Sequence, residues 1–237
     1  MRKSVYAAGA LSMVAALAFA APAQAGGKHD GGGDHGDDAE LSVLHGVKGL
    51  TVDVWVNGKL TLDDFEPGTL AGPLKLDDGT YKIAITAADA TSADNPVIGP
   101  VKVQLREGRN YTAVAHLGAS GTPTATLFKN DTSASPKGEG KLTVRHVAAA
   151  PAVDVLAGET AVIEDLENPE QEVLTLKAGT VSASVAAAGT TEPLIGPADV
   201  PVTKGKNTIV YAWGSLEDDT LDVAVQVVDS AKWRGDD

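Results

Sequence analysis

The stretch Val52-Asp53-Val54-Trp55-Val56-Asn57-Gly58-Lys59-Leu60-Thr61-Leu62 decides the fold class. Val52, Val54 and Val56 alternate with Asp53, Trp55 and Asn57, the period of two that sends successive side chains of a strand to opposite faces. Asn57-Gly58 then supplies two residues that tolerate positive φ, as a type I′ hairpin turn requires, and the alternation resumes at Leu60. A strand, a two-residue turn and a second strand are expected. Similar short runs lie at 81–86, 101–105, 111–116 and 124–128, and again at 153–156, 173–176, 180–186, 208–213 and 221–228. No stretch after residue 25 carries a helical stripe, although 89–95 has the composition of a short turn.

The runs come in two sets because the chain repeats itself. Leu41-Ser42-Val43-Leu44-His45 returns as Leu142-Thr143-Val144-Arg145-His146, and Val52-Asp53-Val54 returns as Val153-Asp154-Val155, both at an offset of 101. Ile98-Gly99-Pro100 is answered by Ile195-Gly196-Pro197 and Gly108-Arg109-Asn110 by Gly205-Lys206-Asn207, at an offset of 97, so the second copy has lost a few residues in its loops. A period this long exceeds a solenoid unit and indicates two tandem domains. About seven short strands per copy suit an all-β architecture of two β-sandwiches, which bury two apolar faces against each other.

Domain one is placed at residues 41–131, a Ser/Gly/Pro-rich linker at 132–140, domain two at 141–229 and a tail at 230–237. The linker composition predicts little shared core, so each domain is expected to melt by itself. Ahead of domain one, residues 1–25 read as a secretory signal peptide: Arg2 and Lys3 form the positive start, residues 5–20 the apolar stretch, and Ala23-Gln24-Ala25 the cleavage signal. The apolar stretch is shorter than the roughly 20 residues a membrane span needs, which disfavours an anchor. Residues 26–40, rich in Gly, His and Asp, are expected to be disordered.

With a formal net charge of −13, the chain is a poor partner for nucleic acid or anionic membranes, both of which bind through Lys and Arg. The absence of cysteine excludes disulfides, thiolate catalysis and Cys-type zinc sites. A secreted or extracellular protein with no cofactor is expected, with a cell-wall or other extracellular polymer, or a protein, as partner.

At this point the residues themselves carry a likeness. Leu142-Thr143-Val144-Arg145-His146 followed by Ala149-Ala150-Pro151-Ala152-Val153-Asp154-Val155, its first-copy version ending in Val52-Asp53-Val54, and Leu105-Arg106-Glu107-Gly108-Arg109-Asn110-Tyr111-Thr112 resemble the secreted bacterial family catalogued as domain of unknown function 4397. Thr208 stands in the second copy where that pattern has Tyr. The resemblance spans both copies and implies Ig-like or prealbumin-like sandwiches on the cell exterior; it speaks to fold rather than activity.

The sharpest constellation is the repeated pair of His45 with Asp53 and His146 with Asp154. Such a pair serves either acid/base or metal chemistry, or a structural role in which each His is bonded to a carbonyl or to the Asp and fixes a loop. Two occurrences without a nucleophile or second base favour the structural role. His29, Asp30, Asp34 and His35 form a candidate weak metal tract. Trp55, opposite the valines and so open to exposure, and Trp213 are candidate ligand contacts, with packing against the neighbouring domain as an equal alternative. The acids Asp63, Asp64 and Glu66, echoed by Glu164, Asp165 and Glu167, keep an alternative open, an extracellular hydrolase with a carboxylate pair. Gly-x-Ser-x-Gly, His-Glu-x-x-His and phosphate-loop motifs are absent from the sequence, which favours a non-catalytic binding or structural module. Asn110-Tyr111-Thr112 and Asn130-Asp131-Thr132 match the glycosylation acceptor pattern.

Overall fold

Sixteen strands and no helix make up residues 38–232, the part of the chain that the computed structural model describes. The signal-peptide reading, the His29/Asp30/Asp34/His35 tract and the last five residues fall outside the described residues. The first copy contains β1 (Ala39–Gly46), β2 (Val52–Val56), β3 (Lys59–Phe65), β4 (Leu70–Leu76), β5 (Gly79–Ala87), β6 (Ile98–Leu105), β7 (Asn110–Leu117) and β8 (Pro123–Lys129). The second contains β9 (Glu139–Ala149), β10 (Val153–Ala157), β11 (Thr160–Leu166), β12 (Gln171–Lys177), β13 (Gly179–Ala187), β14 (Pro193–Val202), β15 (Lys206–Ser215) and β16 (Asp222–Asp229).

Each copy folds as two four-stranded sheets of the same order: β4-β1-β7-β8 over β3-β2-β5-β6, and β12-β9-β15-β16 over β11-β10-β13-β14. β1 runs parallel to β7, and β9 to β15, while the other pairs are antiparallel. The all-β, two-sandwich expectation therefore holds, with eight strands per copy rather than about seven. β4, β11 and β14 escaped the reading of alternation: Gly72-Pro73 interrupts the first, the bulges of β11 against β10 break the period of the second, and Pro193, Pro197 and Pro201 punctuate the third. All three are edge strands, where in β4 and β14 a missing N–H costs no ladder bond. At the predicted hairpin, Asn57 and Gly58 adopt φ of 51° and 78°.

Alternation along β1 explains how the molecule is layered. Leu41 and Val43 join Val52, Val54, Ile83 and Tyr111 in a core between the first copy's two sheets. The opposite face of β1 supplies Leu44 to a different cluster, with Val114 and Phe128 from the first copy and Val147, Ile209, Tyr211, Trp213 and Val228 from the second. A third cluster, including Leu142, Val144, Val155 and Ile163, fills the second sandwich. The sheets thus stack four deep, with the cluster between copies in the middle.

This corrects the expectation of little shared core. The composition of the connecting segment describes its own solvation, whereas the outward faces of β1, β7, β9 and β15 decide whether the copies adhere. The segment is itself fastened: Lys141 Nζ pairs with Asp131 at 2.7 Å and donates to the Ser133 carbonyl at 2.9 Å, and Ser135 is buried.

Candidate functional site

The repeated histidines sit in the C-terminal parts of β1 and β9, facing the sandwich cores, and His45 stacks on Phe65 with ring centroids 6.0 Å apart. His45 Nε2 donates to the Leu50 carbonyl at 2.7 Å, and His146 Nε2 to the Pro151 carbonyl at 2.9 Å, each clamping the loop to the next strand. A carbonyl can only accept, so Nε2 carries a proton in each ring; His146 Nδ1 in turn accepts from the Ala148 amide at 3.4 Å, which makes that ring the neutral tautomer. Burial holds both histidines below the usual imidazole range, and the hydrogen bonds to the loop only partly oppose it.

The aspartates of the two Val-Asp-Val strands do a different job. β3 and β11 bulge opposite them, and at the bulge Asp64 and Asp165 take positive φ, 49° and 53°. A bulge leaves an amide outside the ladder. Asp53 Oδ1 accepts that amide from Asp64 at 3.0 Å, and Asp154 Oδ1 accepts its equivalent from Asp165 at 2.9 Å. Asp154 also accepts from the Gly189 amide at 2.8 Å. Among the described residues no hydrogen bond joins either His to its Asp; each His serves its loop and each Asp the bulge of the neighbouring strand.

Asp63, Asp64, Glu66, Glu164, Asp165 and Glu167 are all exposed. Carboxylate oxygens of Asp53, Asp63 and Asp64 come within 4.8 Å of one another, with Asp53 buried and the other two open to solvent.

The tryptophans are not surface platforms. Trp55, expected to be exposed, is buried: it lies opposite Ala84 on β5, and its Nε1 donates to Thr86 Oγ1 at 2.9 Å. Small neighbours on β5 leave a bed for the indole that alternation within β2 does not reveal. Trp213 is buried in the cluster between copies, with the Lys48 ammonium 5.3 Å from its ring centroid. The acceptor asparagines Asn110 and Asn130 are buried and bonded, which removes both as glycosylation sites.

The most elaborate polar constellation went unread in the sequence. Arg145 is fully buried in the layer between copies, its guanidinium 4.4 Å from the Phe128 ring centroid and 5.2 Å from that of Tyr211. It donates to Gln171 Oε1 at 2.8 Å, Tyr211 Oη at 2.7 Å and Asn130 Oδ1 at 2.7 Å. Tyr211 donates on to Gln226, which reaches Ser42 and Thr112 of the first copy. No carboxylate pairs with Arg145 among the described residues, and desolvation lowers its pKa while Tyr211 opposes the shift. Neutral oxygens and two aromatic faces stand in for a counter-ion. The available signal was a charged residue in the repeated string, at the position where the first copy has Leu44.

The family model described as Domain of unknown function (DUF4397) matches residues 39–156, a span running from the first residue of β1 into β10. No curated protein matches the chain.

Proposed function

We propose that the chain is an exported, non-catalytic tandem β-sandwich protein that acts outside the cell as a binding or structural module, with a cell-wall or other extracellular polymer, or a protein, as its partner. We also read residues 141–229 as a second copy of the domain matched at the start of the chain, on the strength of its identical sheet order. The observation that carries the functional reading is the commitment of the acid/base candidates to the fold. His45 and His146 each satisfy a main-chain carbonyl of an adjacent loop and Asp53 and Asp154 each a bulge amide of a neighbouring strand, leaving no free His–Asp pair to activate a water or a nucleophile.

The rival reading, a hydrolase using the exposed acids, draws on the close approach of Asp63 and Asp64 to Asp53. A screen of the purified protein against polysaccharides, esters and peptides separates the two. Retention on cell-wall material without product release is the expected result. Turnover abolished by Asp64→Asn or Asp165→Asn would overturn the reading in favour of the hydrolase.

A further inference from the structure

β3 and β4 are edge strands of the first copy's two sheets, and β6 lies against β8 on the opposite side, so the sandwich opens along the seam between β3 and β4. A groove of about 420 Å³ occupies that seam. Val56, Leu60, Leu74, Leu76 and Tyr81 give it an apolar lining, and Leu60 is 37% exposed. Lys59 and Lys75, both exposed, also line it, and neither makes an ion pair among the described residues.

We propose that this groove binds a single-chain amphiphile with a carboxylate head, of the free fatty acid class, with the chain along the leucines and the head between Lys59 and Lys75. The inference rests on the binding-module reading and names a ligand class for it. Its volume falls in the range of small-molecule sites, roughly 300–1,000 Å³, and its mix of apolar lining with a few charged groups is the composition such sites have. Charge complementarity selects the head: two unpaired ammonium groups border an apolar slot in a chain whose net charge is −13. The phenol of Tyr81 donates to the Asp77 carbonyl at 2.9 Å, and desolvation with the nearby Asp77 and Asp78 pushes its pKa up. The positive partners for the head are the two lysines, while the acids beside the ring repel it.

The second copy provides the contrast. At equivalent positions in the same sheet order it carries Thr160 for Lys59, Ala161 for Leu60, Thr175 for Lys75 and Val181 for Tyr81. A sandwich of this kind folds without the lysines, the larger leucine or the tyrosine, so folding alone does not require them in the first copy.

The test is calorimetric titration of the purified chain with decanoate, and with decanol as a neutral match of equal length. One decanoate per chain is expected, with decanol weaker by about tenfold, equivalent to about 1.4 kcal/mol. The double variant Lys59→Gln/Lys75→Gln should lose that preference while melting like the parent, and Leu60→Asp should abolish binding. Ala161→Asp in the second copy should bind as the parent does. Equal binding of decanol and decanoate, or undiminished decanoate binding by the double variant, would overturn the inference. So would binding to phosphatidylglycerol vesicles in place of decanoate, which would assign the groove to a membrane surface. Retention on cell-wall material with no decanoate binding would overturn this inference alone, whereas substrate turnover would overturn the function proposed above and not the groove.

Discussion

In the first copy Leu44 lies beside Val114 on neighbouring strands; at the matching positions of the second copy Arg145 lies beside Tyr211. Phe128 on β8 is likewise answered by Gln226 on β16. All six side chains occupy the layer where the copies meet, so two faces with one strand order have become complementary rather than alike. The second copy presents a cation and two hydrogen-bonding groups; the first presents an aromatic ring and short apolar chains, with Ser42, Thr112 and Asn130 to take up the polar ends. Apolar contact alone would hold two sheets together in several registers. A buried guanidinium with three directed hydrogen bonds is satisfied in one.

The comparison breaks most decisively at Trp213, the large anchor of the layer. Replacing it with Ala should cost about 3–5 kcal/mol, the usual range for a buried aromatic. Differential scanning calorimetry should show one transition for both copies, moved down as a unit. A first-copy transition that stays in place while the second moves would return the copies to independent domains.

Arg145→Ala should cost about 3 kcal/mol, since it strands acceptors on Asn130 and Gln171 and empties the space between two rings. Arg145→Leu, which installs the first copy's residue, should cost less because it refills the volume. Denaturant unfolding of both variants orders them; a Leu variant as unstable as the Ala variant would show that polar satisfaction outweighs packing here.

The histidine clamps come next. His146→Ala should cost about 1–3 kcal/mol by stranding the Pro151 carbonyl and leaving a cavity. Through the shared layer it should depress the common melting transition rather than the second copy alone. His45→Ala should behave alike, and a copy-specific loss in either case would argue against a shared core.

His45, His116 and His146 also predict an acid limit. Burial lowers all three below 6.5, so near that pH the unfolded chain binds protons that the folded chain refuses. Their contribution to stability is complete above 6.5 and is lost as the pH falls below it, toward the folded values. A melting temperature that falls through pH 6 in the parent and stays flat in His45→Gln/His116→Gln/His146→Gln would attribute the effect to these rings, whereas an unchanged fall in the triple variant would assign it to other groups. The smallest effect is expected at the exposed acids: Asp63→Asn and Glu164→Gln should each move stability by no more than about 0.5 kcal/mol in chemical denaturation.

Much of the architecture was legible because it depends on neighbours in sequence. Alternation at 52–56, the Asn57-Gly58 turn and the matched strings 101 residues apart specify strands, a hairpin and two equivalent sandwiches. The singling out of His45, Asp53, His146 and Asp154 came from the same repetition, since residues that brace a recurring loop recur with it. The exposure of Trp55 was misjudged because its cover comes from β5, about thirty residues away; β4 and β14 were missed because prolines mask the period of an edge strand, and β11 because bulges break it.

What the sequence determined by itself is therefore local: which residues alternate, where the chain turns, and that it does so twice. Only the tertiary structure decided what lies against each face. Alternation states that β1 has two sides, but Leu44 and Arg145 reveal their meaning only once two sheets distant in the chain are brought into contact. A buried charge is costly unless partners converge on it, and those of Arg145 come from Phe128, Asn130, Gln171 and Tyr211, residues that no local period connects.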